Sequence, residues 1–196
     1  MIQQKKLRKK LETKDPEQIA VDSGARYLNG DIRLKLFNRE LKISPDEFAV
    51  EPLSGEVEDH LKVLILNYLS FTENPAGSDE WVGFREIPHG EFYSENFKKN
   101  TELKLTRTFQ SKKSEFEAVS AELGGEEIDM GDSGYAFRVL PKIRLALVFW
   151  SGGDEFQDKI NFLFEKTAID CLTTEGISIL GKEFCKRFIE KAKGEI

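Results

Sequence analysis

The chain has 196 residues, with 29 Lys or Arg against 35 Asp or Glu, for a net charge of −6. That balance argues against general nucleic-acid binding, which depends on neutralising phosphates. No apolar run reaches membrane-spanning length and no apolar stretch follows the first Met, so no membrane partner and a cytoplasmic location are expected. Fifteen Phe within a 39% hydrophobic composition are enough for one sizeable core.

Residues 1–14 read as a basic N-terminal helical extension carrying Lys5, Lys6, Arg8, Lys9 and Lys10, with few apolar positions and a loose, peripheral attachment. Residues 15–196 read as a single domain. Asp15-Pro16 offers an N-cap with Pro in the first turn, and the helix carrying Ile19, Ala20 and Ser23 is expected to stop by Asn29-Gly30. Ile32, Leu34 and Leu36 alternate with Arg33 and Lys35 as in a half-buried strand, which residues 38–40 turn into Leu41-Lys-Ile-Ser44 as a hairpin. Val57, Leu61, Leu64, Ile65 and Tyr68 recur at helical spacing and mark a central helix.

Residues 72–79 form a loop, and Trp81 to Ile87 a strand ended by Pro88. Residues 94–110 read as one helix. Ser114 with Glu117 is a capping box opening a helix that Gly124-Gly125 ends. Tyr135–Leu140 and Ile143–Trp150 are the strongest strands, and Pro141-Lys142 joins them closely enough for an antiparallel pair. Ala146, Val148 and Trp150 make the second of these apolar on both faces, which suits a central strand. Residues 160–164 are ambiguous between strand and helix. Thr173 or Thr174 caps a last helix with a stripe of Ile177, Leu180, Phe184 and Phe188. Helices and antiparallel strands in mixed order give an α+β class, a single domain with an antiparallel sheet and helices packed mainly on one side.

Ser151 to Phe156 contains the string GGDEF, the signature of diguanylate cyclases. Two-metal phosphoryl chemistry needs further carboxylates on a neighbouring strand. Here no Leu-Thr-Gly-Leu run occurs, and Asn96-Phe-Lys-Lys-Asn100 lacks the acidic and Gly-His residues that should follow. The strand after the motif also looks missing, since Gln157, Asp158 and Lys159 are polar. The string reads as the turn after a buried strand.

Three polar groups stand beside strong strands: Arg85-Glu86, Asp132, and Asp154-Glu155. With strand ends aligned they would converge at one sheet edge, where an arginine among carboxylates binds a polar ligand or raises one carboxylate for acid–base work. The plainer alternative is a set of loop caps and salt bridges. Trp81 and Trp150 are core fillers by default and pocket walls otherwise. With Arg138 these residues make the candidate ligand-binding set; no catalytic residue is assigned and no metal ligand is expected. Of the two histidines, His60 lies on the central helix and His89 in a turn. Cys171 and Cys185 read as buried inert thiols, with no structural zinc.

Several short runs together resemble an uncharacterised bacterial and archaeal family, domain of unknown function 3786, over roughly residues 15–181. They are Leu66-Asn-Tyr-Leu69, Trp81 to Pro88, Tyr93, Leu123-Gly-Gly125, Gly131-Asp132, Phe137 to Pro141, Leu147 to Trp150, Gly153 to Phe156, Leu163-Phe164, Leu172 and Glu175. The resemblance implies no established activity. Some similar sequences carry a four-cysteine iron–sulfur segment ahead of this domain; no cysteine here precedes Cys171, so no cluster is expected. The expected function is a non-catalytic module binding a small polar ligand, a cofactor or a partner protein. The alternative is an enzyme using Asp154 or Glu155 for acid–base or metal chemistry, with Arg85 orienting an anion; a divergent cyclase is the remote one.

Overall fold

The alternation around Ile32 folds as the second strand of a four-stranded antiparallel sheet. In this computed structural model, which describes residues 2–53, 55–153 and 156–196, its strands are β1 (Arg26–Leu28), β2 (Asp31–Leu36), β3 (Arg39–Ser44) and β4 (Ala49–Pro52), paired in that order. Period two sorts the side chains. Ile32, Leu34, Leu36, Leu41, Ile43 and Val50 are buried on one face, while Arg26, Arg33, Lys35, Glu40 and Lys42 share the other.

β2 and β3 are joined by Phe37 and Asn38, both left-handed with φ of 50° and 67°. Such a two-residue turn matches the strand twist, but a phenylalanine there costs roughly 1–2 kcal/mol. Burial offsets that cost. The Phe37 ring packs 6.0 Å from that of Phe184, the Arg187 guanidinium lies over it at 5.5 Å, and its N–H donates to the Val139 carbonyl at 3.1 Å. The tip of the first sheet is plugged into the second.

The second sheet has five strands, β5 (Trp81–Gly83), β6 (Glu126–Ile128), β7 (Ser133–Leu140), β8 (Ile143–Trp150) and β9 (Lys159–Glu165), in the order β5-β9-β8-β7-β6 and antiparallel throughout. The ambiguous segment 160–164 is a strand, since Leu145, Leu147 and Phe149 need apolar partners on the same face and find Phe164, Phe162 and Ile160. That face is covered by α4 (Ser94–Asn100), α5 (Glu102–Phe109), α6 (Lys113–Glu122) and, after the short α7 (Ala168–Cys171), by α8 (Thr174–Ala192). Aromatic rings join the layers: Phe97 meets Phe162 at 5.5 Å, Phe116 meets Phe149 at 5.5 Å, and Phe184 meets Phe137 at 4.8 Å. The α+β class holds, with its strands divided between two sheets, and α3 (Asp59–Phe71) lies between β4 and β5 in the chain.

Several local expectations are corrected. The N-terminal helix α1 (Ile2–Leu11) is not loose: Leu7 and Leu11 are buried and it packs on α3. α2 (Pro16–Ser23), by contrast, stops before Asn29-Gly30 as expected, at a left-handed Gly24. The 94–110 helix breaks at Thr101, where φ is −127° and ψ −86°, and the Thr101 hydroxyl donates back to the Phe97 carbonyl. The Trp81 strand stops at Gly83, whose N–H donates to Glu86 Oε2 at 2.7 Å and so curls residues 84–86 into a 3-10 turn. α6 begins at Lys113, which puts Ser114 inside it, without a capping bond. Neither tryptophan is a core filler; Trp150 is 47% exposed and Trp81 partly buried.

Both cysteines are free and buried. Burial pushes the Cys171 thiol up to about 11 and the Cys185 thiol up to about 12. Two predictions follow from this packing. Native protein at about pH 8 will react negligibly with a thiol-specific disulfide reagent until unfolded. Because both thiols are held neutral, the stability they support is complete below their ordinary value of 9.0 and is lost as pH rises through 11 and 12. The second concerns Gly181, buried in α8, where an added Cβ would lie 2.8 Å from the Phe97 ring and 2.9 Å from Phe164. Ala in a helix interior ordinarily gains about 1 kcal/mol over Gly. Phe97 is itself stacked on Phe84 at 4.2 Å and has no room to retreat, so Gly181→Ala will instead lower urea stability by about 1–2 kcal/mol.

Candidate functional site

Among the described residues, the polar groups expected to converge at one sheet edge serve separate local roles instead. The Asp132 carboxylate accepts the Ser151 N–H at 2.7 Å, fastening the exit turn of β8. Glu86 is used by the Gly83 N–H, and Arg85 is exposed on the same 3-10 turn. Trp150 stands at the Asp132 end of β8, roughly 23 Å along the strand from Ile143. Trp81 and Arg138 lie at the Ile143 end instead. Asp154 and Glu155 fall outside the described residues. His60 lies 3.6 Å from Glu183, and among the described residues no group of three or more His, Cys, Asp or Glu is placed to hold a metal ion.

One reading of the GGDEF string is revised. A strand does follow it: Trp150 pairs with Lys159, so residues 151–158 connect two antiparallel strands. Polarity at Lys159 misled because that side chain falls on the face away from the helices, where alternation allows it. The loop is closed by Asp158, outside the motif, which accepts the Gly152 N–H at 3.0 Å and the Ser111 N–H at 2.6 Å.

A concave site lies at the other end of the β7–β8 pair, between the two sheets. Two cavities of about 570 and 630 Å³ share Gly24, Arg138 and Pro141 and form one groove. The first is lined by Arg26, Arg33, Lys35 and Glu40, the second by Lys142, Arg144, Glu165, Asp79, Ser78 and Thr167. With Arg138 there are six cations against three carboxylates, the reverse of the chain's overall sign.

Tyr68 of α3 fastens the turn that carries Pro141 and Lys142. Its hydroxyl donates to the Ser23 carbonyl at 2.5 Å and accepts the Lys142 N–H at 3.1 Å, joining the end of α2 to the β7–β8 turn. Burial raises its pKa, so it stays a neutral phenol that can serve as both donor and acceptor. Gly24, at φ 69°, lets that turn approach; a Cβ there would sit 3.1 Å from Pro141.

Pairing register then places like charges directly opposite each other. Arg33 lies between Arg26 on β1 and Lys42 on β3, and Arg138 faces Arg144. Such pairs are destabilising by roughly 0.2–1 kcal/mol each. Some charge is balanced inside the protein. Glu40 pairs with Arg26 at 2.9 Å, and the buried Glu165 accepts Arg144 Nε at 3.1 Å and Nη2 at 2.7 Å, both on Oε1. That hydrogen bond is the main cause raising the Arg144 pKa, and the guanidinium also lies over the Trp81 ring at 5.5 Å. Other groups are left over. Arg33 Nε and Thr167 Oγ1 are buried with no hydrogen-bond partner among the described residues. Orphaned buried groups of this kind are uncommon and cost about 1–3 kcal/mol each.

A family model described as Domain of unknown function (DUF3786) matches residues 15–187. The chain belongs to this family. No curated protein and no solved structure gives a significant match. The family match spans Tyr68, both arginines of β7 and β8, and Thr167, so the groove lies wholly within the DUF3786 domain. Among the candidates from the sequence, Arg138 lines the groove and Trp81 backs it through Arg144. Arg26, Arg33, Lys35, Lys142, Arg144, Glu165 and Thr167 went unnoticed. Arg33 and Lys35 read as the wet side of a strand, and only register reveals the like-charge pairs.

The Arg144–Glu165 pair carries a clear stability signature. Replacing Glu165 with Gln leaves Arg144 and Arg138 facing each other, with only the longer 3.6 Å contact to the exposed Asp79 to balance a partly buried guanidinium. Glu165→Gln will lower the unfolding free energy by about 2–3 kcal/mol in chemical denaturation, against less than about 1 for Glu80→Gln at the exposed Lys166–Glu80 pair.

Proposed function

We propose that this DUF3786 domain is a non-catalytic binding module for a small anionic ligand held in the groove between its two sheets. The observation that carries the reading is the set of opposed like charges on both walls, Arg26 against Arg33 and Arg138 against Arg144. Arg26, Arg144 and Arg138 each have a partner inside the fold, in Glu40, Glu165 and the Pro141 carbonyl. These leave the cross-strand repulsion in place, whereas an oxyanion placed between arginines turns it into charge-assisted hydrogen bonds. Arg33 supports it further, with its orphaned Nε. The cavity volumes fall within the range of small-molecule sites. The cations are concentrated in one groove of a chain with net charge −6, which favours a compact ligand over a nucleic acid. Two free cysteines support a reducing, cytoplasmic setting.

The test is thermal unfolding with inorganic phosphate, pyrophosphate and chloride as the reference anion. At about 100 times its Kd an anion stabilises by roughly 2.7 kcal/mol, which raises Tm by about 5–10 °C in a chain of this length. The effect will weaken at high salt. Arg33→Met and Arg138→Met keep the packed stems and remove the charge. Both will abolish the anion-induced shift while leaving the unliganded protein as stable as wild type, or more stable by a few tenths of a kcal/mol. Equal shifts in wild type and Arg33→Met would sink the proposal.

A further inference from the structure

The two halves of the groove differ in chemistry. The cavity on the four-stranded sheet holds Arg26, Arg33, Lys35 and Arg138 against a single carboxylate, Glu40, which Arg26 already engages. The other half is close to charge balance, with Lys142 and Arg144 against Asp79 and Glu165, and adds the hydroxyl residues Ser78 and Thr167. Its acceptors are incompletely used. Both Arg144 hydrogen bonds fall on Glu165 Oε1, so among the described residues Oε2 accepts none. Thr167, only 3% exposed, has its Oγ1 without a partner. A cationic half calls for an oxyanion, and a half with spare carboxylate and hydroxyl oxygens calls for a ligand that donates hydrogen bonds. An oxyanion alone would leave those acceptors unmet, and a polyanion would be repelled by Glu165 and Asp79.

Building on the anion-binding reading above, we infer that the ligand is a phosphorylated polyol or sugar. Its phosphate lies against Arg33 and Arg138, and its hydroxyls point toward Glu165 Oε2 and Thr167 Oγ1. Thr167 serves specificity: its hydroxyl tells a phosphorylated polyol from a bare phosphate, because only the former has a donor to offer.

Calorimetric titration with inorganic phosphate, ribose 5-phosphate, glucose 6-phosphate and free ribose tests this on the full chain. At least one sugar phosphate will bind about tenfold or more tighter than inorganic phosphate, and free ribose will not bind measurably. Thr167→Val keeps the shape and removes an orphaned hydroxyl, so the variant will fold with unchanged or improved stability. It will weaken the sugar phosphate by roughly threefold to tenfold and leave phosphate affinity unchanged. Thr167→Ser, which retains the hydroxyl, will bind like wild type. Arg33→Met will weaken phosphate and sugar phosphate together. Inorganic phosphate binding as tightly as both sugar phosphates, or Thr167→Val binding the sugar phosphate like wild type, would overturn the polyol assignment and leave the anion site standing. Loss of all binding, phosphate included, would overturn both.

Discussion

The fold turns on a phenylalanine in a left-handed turn. Phe37 adopts a backbone conformation that its side chain disfavours, and it is held there because the ring is buried against Phe184 and the N–H is bonded to β7. Neither sheet could hold this turn alone. Once the tip of the β2–β3 hairpin is seated, the charged face of the first sheet and the Arg138–Arg144 row of the second are fixed on two sides of one groove. Tyr68 locks the far side, tying the end of α2 to the turn between β7 and β8. The site is therefore a product of docking two sheets and belongs to neither.

Against that rigid frame, the distribution of strain is informative. The interior is dense and aromatic, with Phe97, Phe116, Phe137, Phe162, Phe164 and Phe184 meeting edge-on or tilted between sheet and helices. Few compromises appear there. The groove carries opposed arginines, an orphaned guanidinium nitrogen on Arg33 and an orphaned hydroxyl on Thr167, while Arg8 Nε, Asn67 Oδ1 and Ser120 Oγ are buried without a partner elsewhere among the described residues. Natural sequences tend to be locally consistent except where function demands otherwise. What sets the groove apart is its opposed arginines, and these are the basis of the anion-binding proposal.

The GGDEF string illustrates how little a short motif fixes. The string lies in the connection between two antiparallel strands, yet the turn is organised by Asp132 and Asp158, which lie outside it. Membership of the DUF3786 family over residues 15–187 covers the same segment. Asp132 and Glu86, which looked like ligand-facing carboxylates, accept backbone N–H groups instead. Acidic residues beside strand ends are most often caps, and these two follow that rule.

Periodicity in the sequence was enough to establish the class, the β7–β8 pair, the central helix around Tyr68 and the aromatic stripe of α8, because alternation and helical spacing are local properties of the chain. It also identified Cys171 and Cys185 as buried thiols and Arg138 as a residue of interest. It misjudged α1, whose Leu7 and Leu11 look sparse until α3 lies beneath them, and it ran one helix through Thr101, where tertiary packing breaks it. The groove was illegible for a definite reason. Arg33 and Arg144 are more than a hundred positions apart, and Glu165 and Thr167 are more distant still from Arg33. A charged residue alternating with leucines looks like a solvated face whatever it confronts. Which charges oppose one another depends on strand register and on the seating of Phe37, and both are decided only when the two sheets pack.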